Sequence, residues 1–147
     1  MRPAALLVVL FAAASIGLPV AGAPPVAAQQ SSEPTALERE LDAIGADFAS
    51  ESTSRLLDRM AKDGTVRLSL GSSEGTYKRK QAEEVLDAWF RAREVLSVKR
   101  TKVTGSTGRF DLKFRASRKG TTQERALLVT VAAVKGATYR LSQITVE

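Results

Sequence analysis

The sequence predicts a single α+β domain, a curved antiparallel sheet with helices packed against one face, and three observations carry that prediction. Apolar residues recur at helical spacing in the first half of the chain, they alternate with polar ones at strand spacing in the second half, and Gly/Ser-rich turns separate the alternating stretches. A length of 147 residues with 44% hydrophobic side chains suits one core. The chain has no His and no Cys. That removes Cys/His nucleophilic catalysis, a Ser-His triad, Cys/His zinc sites and haem ligation by His.

The amino terminus has the pattern of a secretory signal peptide. Arg2 precedes an apolar run from Ala4 to Leu18, followed by Pro19, Gly22, Pro24 and Pro25, then Val26-Ala27-Ala28 and the polar Gln29-Gln30-Ser31-Ser32. The run is shorter than the roughly 20 residues that cross a bilayer. Cleavage is expected after Ala28; at the competing Ala21-Gly22-Ala23 site, Pro24 would directly follow the cut. Residues 1–28 are therefore read as signal peptide, 29–34 as a flexible linker and 35–147 as one domain, secreted or periplasmic and without a membrane span after cleavage. A domain of this size buries roughly two-thirds of its unfolded surface, enough for a core without disulfides.

Within the domain, Thr35-Ala36-Leu37-Glu38 fits a capping box and predicts a helix start, with Leu37, Leu41, Ile44 and Phe48 on its core face. Leu56, Leu57 and Met60 suggest a second, short helix closed near Asp63-Gly64. Thr65 to Leu70 alternates as a strand, and Gly71 to Thr76 reads as a loop. After Tyr77 the period becomes helical, with Ala82, Val85, Leu86, Trp89 and Phe90 on one face. Glu83 and Glu84 early and Arg91 and Arg93 late suit the helix dipole, and Asp87 can pair with Arg91. From Val95 four strands are expected. Phe110, Leu112, Phe114 and Ala116 mark one buried face, Leu127 to Val134 reads as a central strand covered on both sides, and a change of phase between Leu141 and Ile144 predicts a bulge near Ser142-Gln143.

The stretch Gly75-Thr76-Tyr77-Lys78-Arg79-Lys80-Gln81-Ala82-Glu83-Glu84-Val85-Leu86, with Trp89-Phe90 after it, resembles the G-x-Y-S-K-x-Q-A-x-x-V-L…F-F pattern of small secreted bacterial domains of unknown function. Those are similar to the nuclear transport factor 2-like, or cystatin-like, superfamily. The resemblance runs from about Leu37 to Glu147 and implies a cone-like sheet wrapped around a central helix, hollow in some relatives and filled in others. Two positions depart from the pattern. Lys78 stands where the pattern has a helix-opening serine, and Lys102 stands near the place of a histidine.

Four kinds of site are weighed against plainer readings. Tyr77, Val85, Trp89, Phe90, Phe110, Phe114 and Tyr139 could line a pocket for a small apolar ligand, or could simply fill the core. Lys99, Lys102, Arg109, Lys113 and Arg115 could form a face for an anionic envelope component, or could be a solvated sheet face. From Lys78 to Arg125, 14 basic residues stand against 6 acidic ones, whereas Glu33 to Asp63 holds 8 acidic and 4 basic. The Gly71–Thr76 segment lacks phosphate-loop spacing, and no metal-binding motif is present.

The expected function is thus an exported, non-catalytic binding or interaction module. No catalytic residue, metal or cofactor is implied, nucleic acid is not an expected partner, and the chain is read as a monomer or weak homodimer. The alternative is a small-molecule enzyme of isomerase, dehydratase or hydrolase type using the cone cavity, which would need a buried carboxylate or tyrosine in a pocket.

Overall fold

Thr35 starts the fold by the reciprocal bonding its sequence predicts: its hydroxyl accepts the Glu38 N–H at 3.2 Å, and Glu38 Oε2 accepts the Thr35 N–H at 2.9 Å. In this computed structural model, residues 33–116 and 119–147 are described. The predicted signal peptide, linker residues 29–32 and Arg118, one of the 14 basic residues between Lys78 and Arg125, lie outside the described residues. Helix α1 (Ala36–Ala49) buries Leu41, Ile44 and Phe48. Helix α2 (Thr53–Asp58) ends earlier than expected. Met60 instead bridges to Leu141, whose N–H bonds Arg59 O at 2.8 Å. No helix among the described residues is long and apolar enough to cross a membrane.

Strand β1 (Thr65–Leu70) buries Val66, Leu68 and Leu70, as its alternation predicts. The segment read as a loop is instead strand β2 (Ser73–Lys78), paired antiparallel with β1 from Thr65↔Lys78 to Leu70↔Ser73. Gly71-Ser72 is a two-residue hairpin turn, and Gly71 takes a φ of 73°, which glycine adopts without strain. Small and polar residues obscured the strand because β2 is a sheet edge that buries little.

Helix α3 (Arg79–Arg91) begins directly after β2. Its first turn therefore carries Arg79 and Lys80 rather than acidic residues, contrary to the expected dipole match. Arg79 is used elsewhere: Nη1 donates to Leu57 O at 3.2 Å and Nη2 bonds Asp58, tying α3 to the end of α2. Among the described ion pairs, none joins Asp87 to Arg91. Lys78, the N-cap, offers no side-chain bond to the helix start.

Strands β3 (Glu94–Thr104), β4 (Thr107–Arg115), β5 (Thr122–Ala133) and β6 (Tyr139–Val146) complete a sheet of order β2-β1-β6-β5-β4-β3. It is mixed rather than antiparallel throughout, because β1 and β6 pair in parallel. Irregularities at Leu96 and Thr101 in β3 and at Ser142 in β6 bend the strands. The bulge in β6 lies where the phase change placed it. Thr130 pairs with Gln143 and Val131 with Leu141, and the Ser142 hydroxyl bonds Thr130 O at 3.0 Å.

The inner sheet face carries Val66, Leu68, Leu70, Phe110, Leu112, Phe114, Leu127, Val129, Val131, Leu141 and Ile144 into one core with the helices. Only the inner side of β5 is buried; Leu128 and Thr130 are half-buried and Ala132 is exposed. The nearly continuous apolar run therefore reflects Leu128 and Ala132 on an outer face that stays partly open, not a strand covered on both sides.

Candidate functional site

Trp89 and Phe90 follow one another at the end of α3, so their side chains diverge by about 100° around the helix. Phe48 of α1 packs against both, with ring centroids 5.4 Å from Trp89 and 5.1 Å from Phe90. Trp89 and Phe90 are 5.4 Å apart at an interplanar angle of 81°, and Phe114 lies 5.5 Å from Trp89. These tilted and edge-on contacts are the favoured aromatic geometries. The four rings pack together between α1, α3 and β4. Each of the fully buried Leu41, Ile44, Leu86 and Leu112 adds to a packed interior.

The predicted pocket residues thus divide. Trp89, Phe90 and Phe114 come together, while Phe110 packs against Gly45 and beside Gly108. Tyr77 and Val85 are partly buried at the core boundary. Tyr139 stands at the start of β6, whereas the aromatic cleft meets β6 at Val146, its other end.

Over the outer side of the aromatic group lies a cleft of about 300 Å³ lined by Trp89, Phe114, Arg93, Gln123, Arg125 and Val146, among others. The Arg93 guanidinium carbon is 4.9 Å from the Trp89 ring centroid and 5.9 Å from that of Phe114. This is cation–π geometry, and it covers the indole so that Trp89 keeps only 6% exposure. Among the described residues, Arg125 makes only a long bond to Glu124 O, at 3.4 Å. The cleft therefore presents an apolar floor with two guanidinium groups at its rim, together with the carboxylate of Glu147, which pairs with Arg109. Phe48, Arg93, Gln123, Arg125 and Val146 were not among the pocket residues the sequence singles out; Arg93 lies four residues after Trp89, just past the end of α3, and only that short spacing hinted at the contact.

The predicted basic face is also assembled in part. Arg109, Lys113 and Arg115 project from the outer side of β4, and Lys99 and Lys102 are their neighbours on β3, with Lys99 opposite Asp111 and Lys102 opposite Arg109. Three of the five are paired with carboxylates: Arg109 with Glu147 at 3.5 Å, Lys113 with Glu124 at 3.1 Å, and Arg115 with Glu94 at 2.7 Å. Hydrogen bonding to Glu94, and its charge, raise the pKa of Arg115 above its ordinary value. Arg100, on the inward phase of β3, holds Asp42 at 2.9 Å and lies 3.4 Å from Glu38, latching α1 to the sheet.

Asp47 and Thr53 are the buried polar residues among those described. Asp47 Oδ2 accepts from Arg59 Nε at 2.6 Å, and Arg59 Nη1 reaches Glu40 at 3.1 Å. Burial lowers the Arg59 pKa, but these bonds and charges outweigh it and raise the value above its usual one. Asp47 thus holds together α1 and the end of α2. Among the described residues, no group of three or more His, Cys, Asp or Glu is placed to hold a metal ion.

Helices gathered inside a bent six-stranded mixed sheet, with an aromatic helix end at its mouth, define the α+β cone of nuclear transport factor 2-like and cystatin-like proteins. Residues 41–147 match the model of a domain of unknown function, DUF4783, and the chain belongs to that family. A DUF4783 protein of Bacteroides fragilis is 15% identical with a TM-score of 0.55, covering 71% of this chain and 93% of that one. A cystatin-fold protein of Novosphingobium aromaticivorans is 10% identical, with a TM-score of 0.53 over 78% of this chain and 98% of its own. A Shewanella frigidimarina protein provisionally named a ketosteroid isomerase is 9% identical, with a TM-score of 0.53 over 77% and 95%. At these identities the likeness shows a shared fold. None of the curated proteins matches the chain.

Proposed function

We propose that the protein is an exported, non-catalytic binding module that takes a small, largely apolar molecule at the mouth of the cone. The observation that carries this reading is the cleft in which Trp89, Phe114 and Val146 form an apolar floor beneath Arg93 and Arg125. A ligand with an apolar body and an acidic end matches that combination: the body displaces Arg93 from the indole, and the acid receives its guanidinium. The filled interior supports binding at the mouth rather than deep in the cone. On the basic sheet face, the ion pairs of Arg109, Lys113 and Arg115 leave less free charge for an anionic envelope component.

The enzyme reading, suited to a fold that also houses the isomerase-like neighbour, calls for an available acid or base in a cleft. The buried carboxylate of Asp47 is engaged by Arg59, which favours the binding module.

The chain contains one Trp, so Trp89 reports its own surroundings. Decanoate, with decanol as the neutral comparison, is titrated into the protein while indole emission is followed. A saturable shift for decanoate, weakened at least tenfold in Arg93→Gln, supports the reading. Emission that moves only linearly with concentration, or equally in both proteins, overturns it. Native mass spectrometry of protein purified from its own host then identifies the retained molecule.

A further inference from the structure

At the end of β6 away from the mouth, a cleft of about 500 Å³ opens between α1, α2 and the β5–β6 turn, and we propose that it binds an oxyanion, a carboxylate or phosphate group of a small solute. Arg55, Arg59, Arg140 and Tyr139 line it together with two carboxylates, Glu40 and Asp58.

Both carboxylates are already engaged. Glu40 bonds Arg59 at 3.1 Å, and Asp58 is held by Arg79. Arg59 is pinned a second time by Asp47 at 2.6 Å, so it forms a fixed wall rather than a mobile surface cation. Arg55 and Arg140, by contrast, have no ion-pair partner among the described residues. Solitary surface arginines are ordinary. Here the two come from different elements, α2 and β6, and flank one concavity whose two carboxylates are bonded to Arg59 and Arg79 instead.

Tyr139 adds a neutral donor. Its side chain is partly buried against the core, which limits its freedom. A phenol beside planar guanidinium forks suits a group with two or three oxygens. The cleft meets β6 at Tyr139, whereas the mouth cleft meets it at Val146, so binding here is independent of the ligand proposed for the mouth.

The test titrates inorganic phosphate and succinate separately into the protein at constant ionic strength, maintained with chloride, by calorimetry. Saturable binding of either anion is expected, with the stronger of the two naming the chemistry. In Arg55→Gln/Arg140→Gln the affinity should fall at least tenfold, as loss of two charged hydrogen-bond donors implies. The control, Arg39→Gln/Lys62→Gln, removes the same charge from exposed positions outside the lining. It should change the affinity less than twofold. Tyr139→Phe, which preserves the ring, should weaken binding severalfold. The proposal fails if neither anion saturates, or if the control loses as much affinity as the cleft variant. Circular dichroism spectra that superimpose establish that each variant is folded.

Discussion

A methyl group added to Gly45 in α1 would stand 2.6 Å from Cε1 of Phe110 in β4, so the helix rests on the sheet through an absent side chain. The same ring has Gly108 beneath its other edge, where a Cβ would lie 3.0 Å from Cε2. Phe110 is thereby held between two glycines, a steric requirement that ties the register of β4 to the position of α1.

Gly45→Ala should consequently destabilise the domain. Overpacking of this kind costs about 1–3 kcal/mol, while alanine recovers roughly 1 kcal/mol of helix propensity. The net loss should be up to about 2 kcal/mol, visible as a lower urea midpoint at unchanged slope. A higher midpoint would show that the ring moves aside freely.

Lys78→Ser should stabilise the domain. Lys78 already has the extended backbone of an N-cap, with φ of −74° and ψ of 161°, but supplies no acceptor to the first turn of α3. A serine hydroxyl there contributes about 0.5–2 kcal/mol. Paired denaturation curves of the two proteins measure the difference, and an unchanged or lower stability contradicts the capping argument.

Acid should loosen the start of α1. The Thr35 backbone N–H, then the Thr35 hydroxyl and Arg100, hold the Glu38 carboxyl below its ordinary value of 4.5. A carboxyl with a lowered folded-state pKa contributes stability above 4.5 and loses it as pH falls through the folded value. Glu38→Gln should flatten that part of the pH–stability curve. Arg59 behaves oppositely: its pKa is raised above an already high ordinary value, so its contribution is fully present at and below neutrality and adds no slope there. Melting temperatures of both proteins between about pH 2 and 8 test the sign.

Arg93→Ala should uncover the indole. With the guanidinium gone from 4.9 Å above the ring, Trp89 emission should move to longer wavelength and acrylamide quenching should increase. Loss of the contact should lower stability by about 0.5–2 kcal/mol. Unchanged quenching would mean that other groups shield the ring.

Local signals in the chain were read well where they involved near neighbours. The capping box at Thr35 and Glu38, the alternation of β1 and the phase change at Ser142 all appear where the residues place them. Strand β2 carries no alternation to reveal it, although its turn, Gly71-Ser72, repeats the dipeptide Gly105-Ser106 that joins β3 to β4; both join paired strands with glycine at positive φ. The parallel pairing of β1 with β6 has no local signature, because its partners, such as Leu68 and Ile144, lie far apart in sequence.

The site was legible as a set of inward-facing aromatics but not as an arrangement. Trp89, Phe90 and Phe114 could be placed on buried faces by phase, yet their meeting with Phe48, and the separation of Tyr139 from them, depended on how three elements cross. The basic residues of β3 and β4 were likewise visible, whereas the glutamates that pair with three of them come from β3, β5 and Glu147.

From its residues alone, this protein is an α+β chain without thiol or imidazole chemistry, with its apolar side chains assigned to faces by periods of 3.6 and 2. Tertiary structure decided that those side chains fill the cone, that Arg93 covers its aromatic mouth, and that Arg55 and Arg140 share a cleft. Periodicity sets the direction of a side chain relative to its own backbone; packing and ion pairing depend on distances between elements, which only the folded chain establishes.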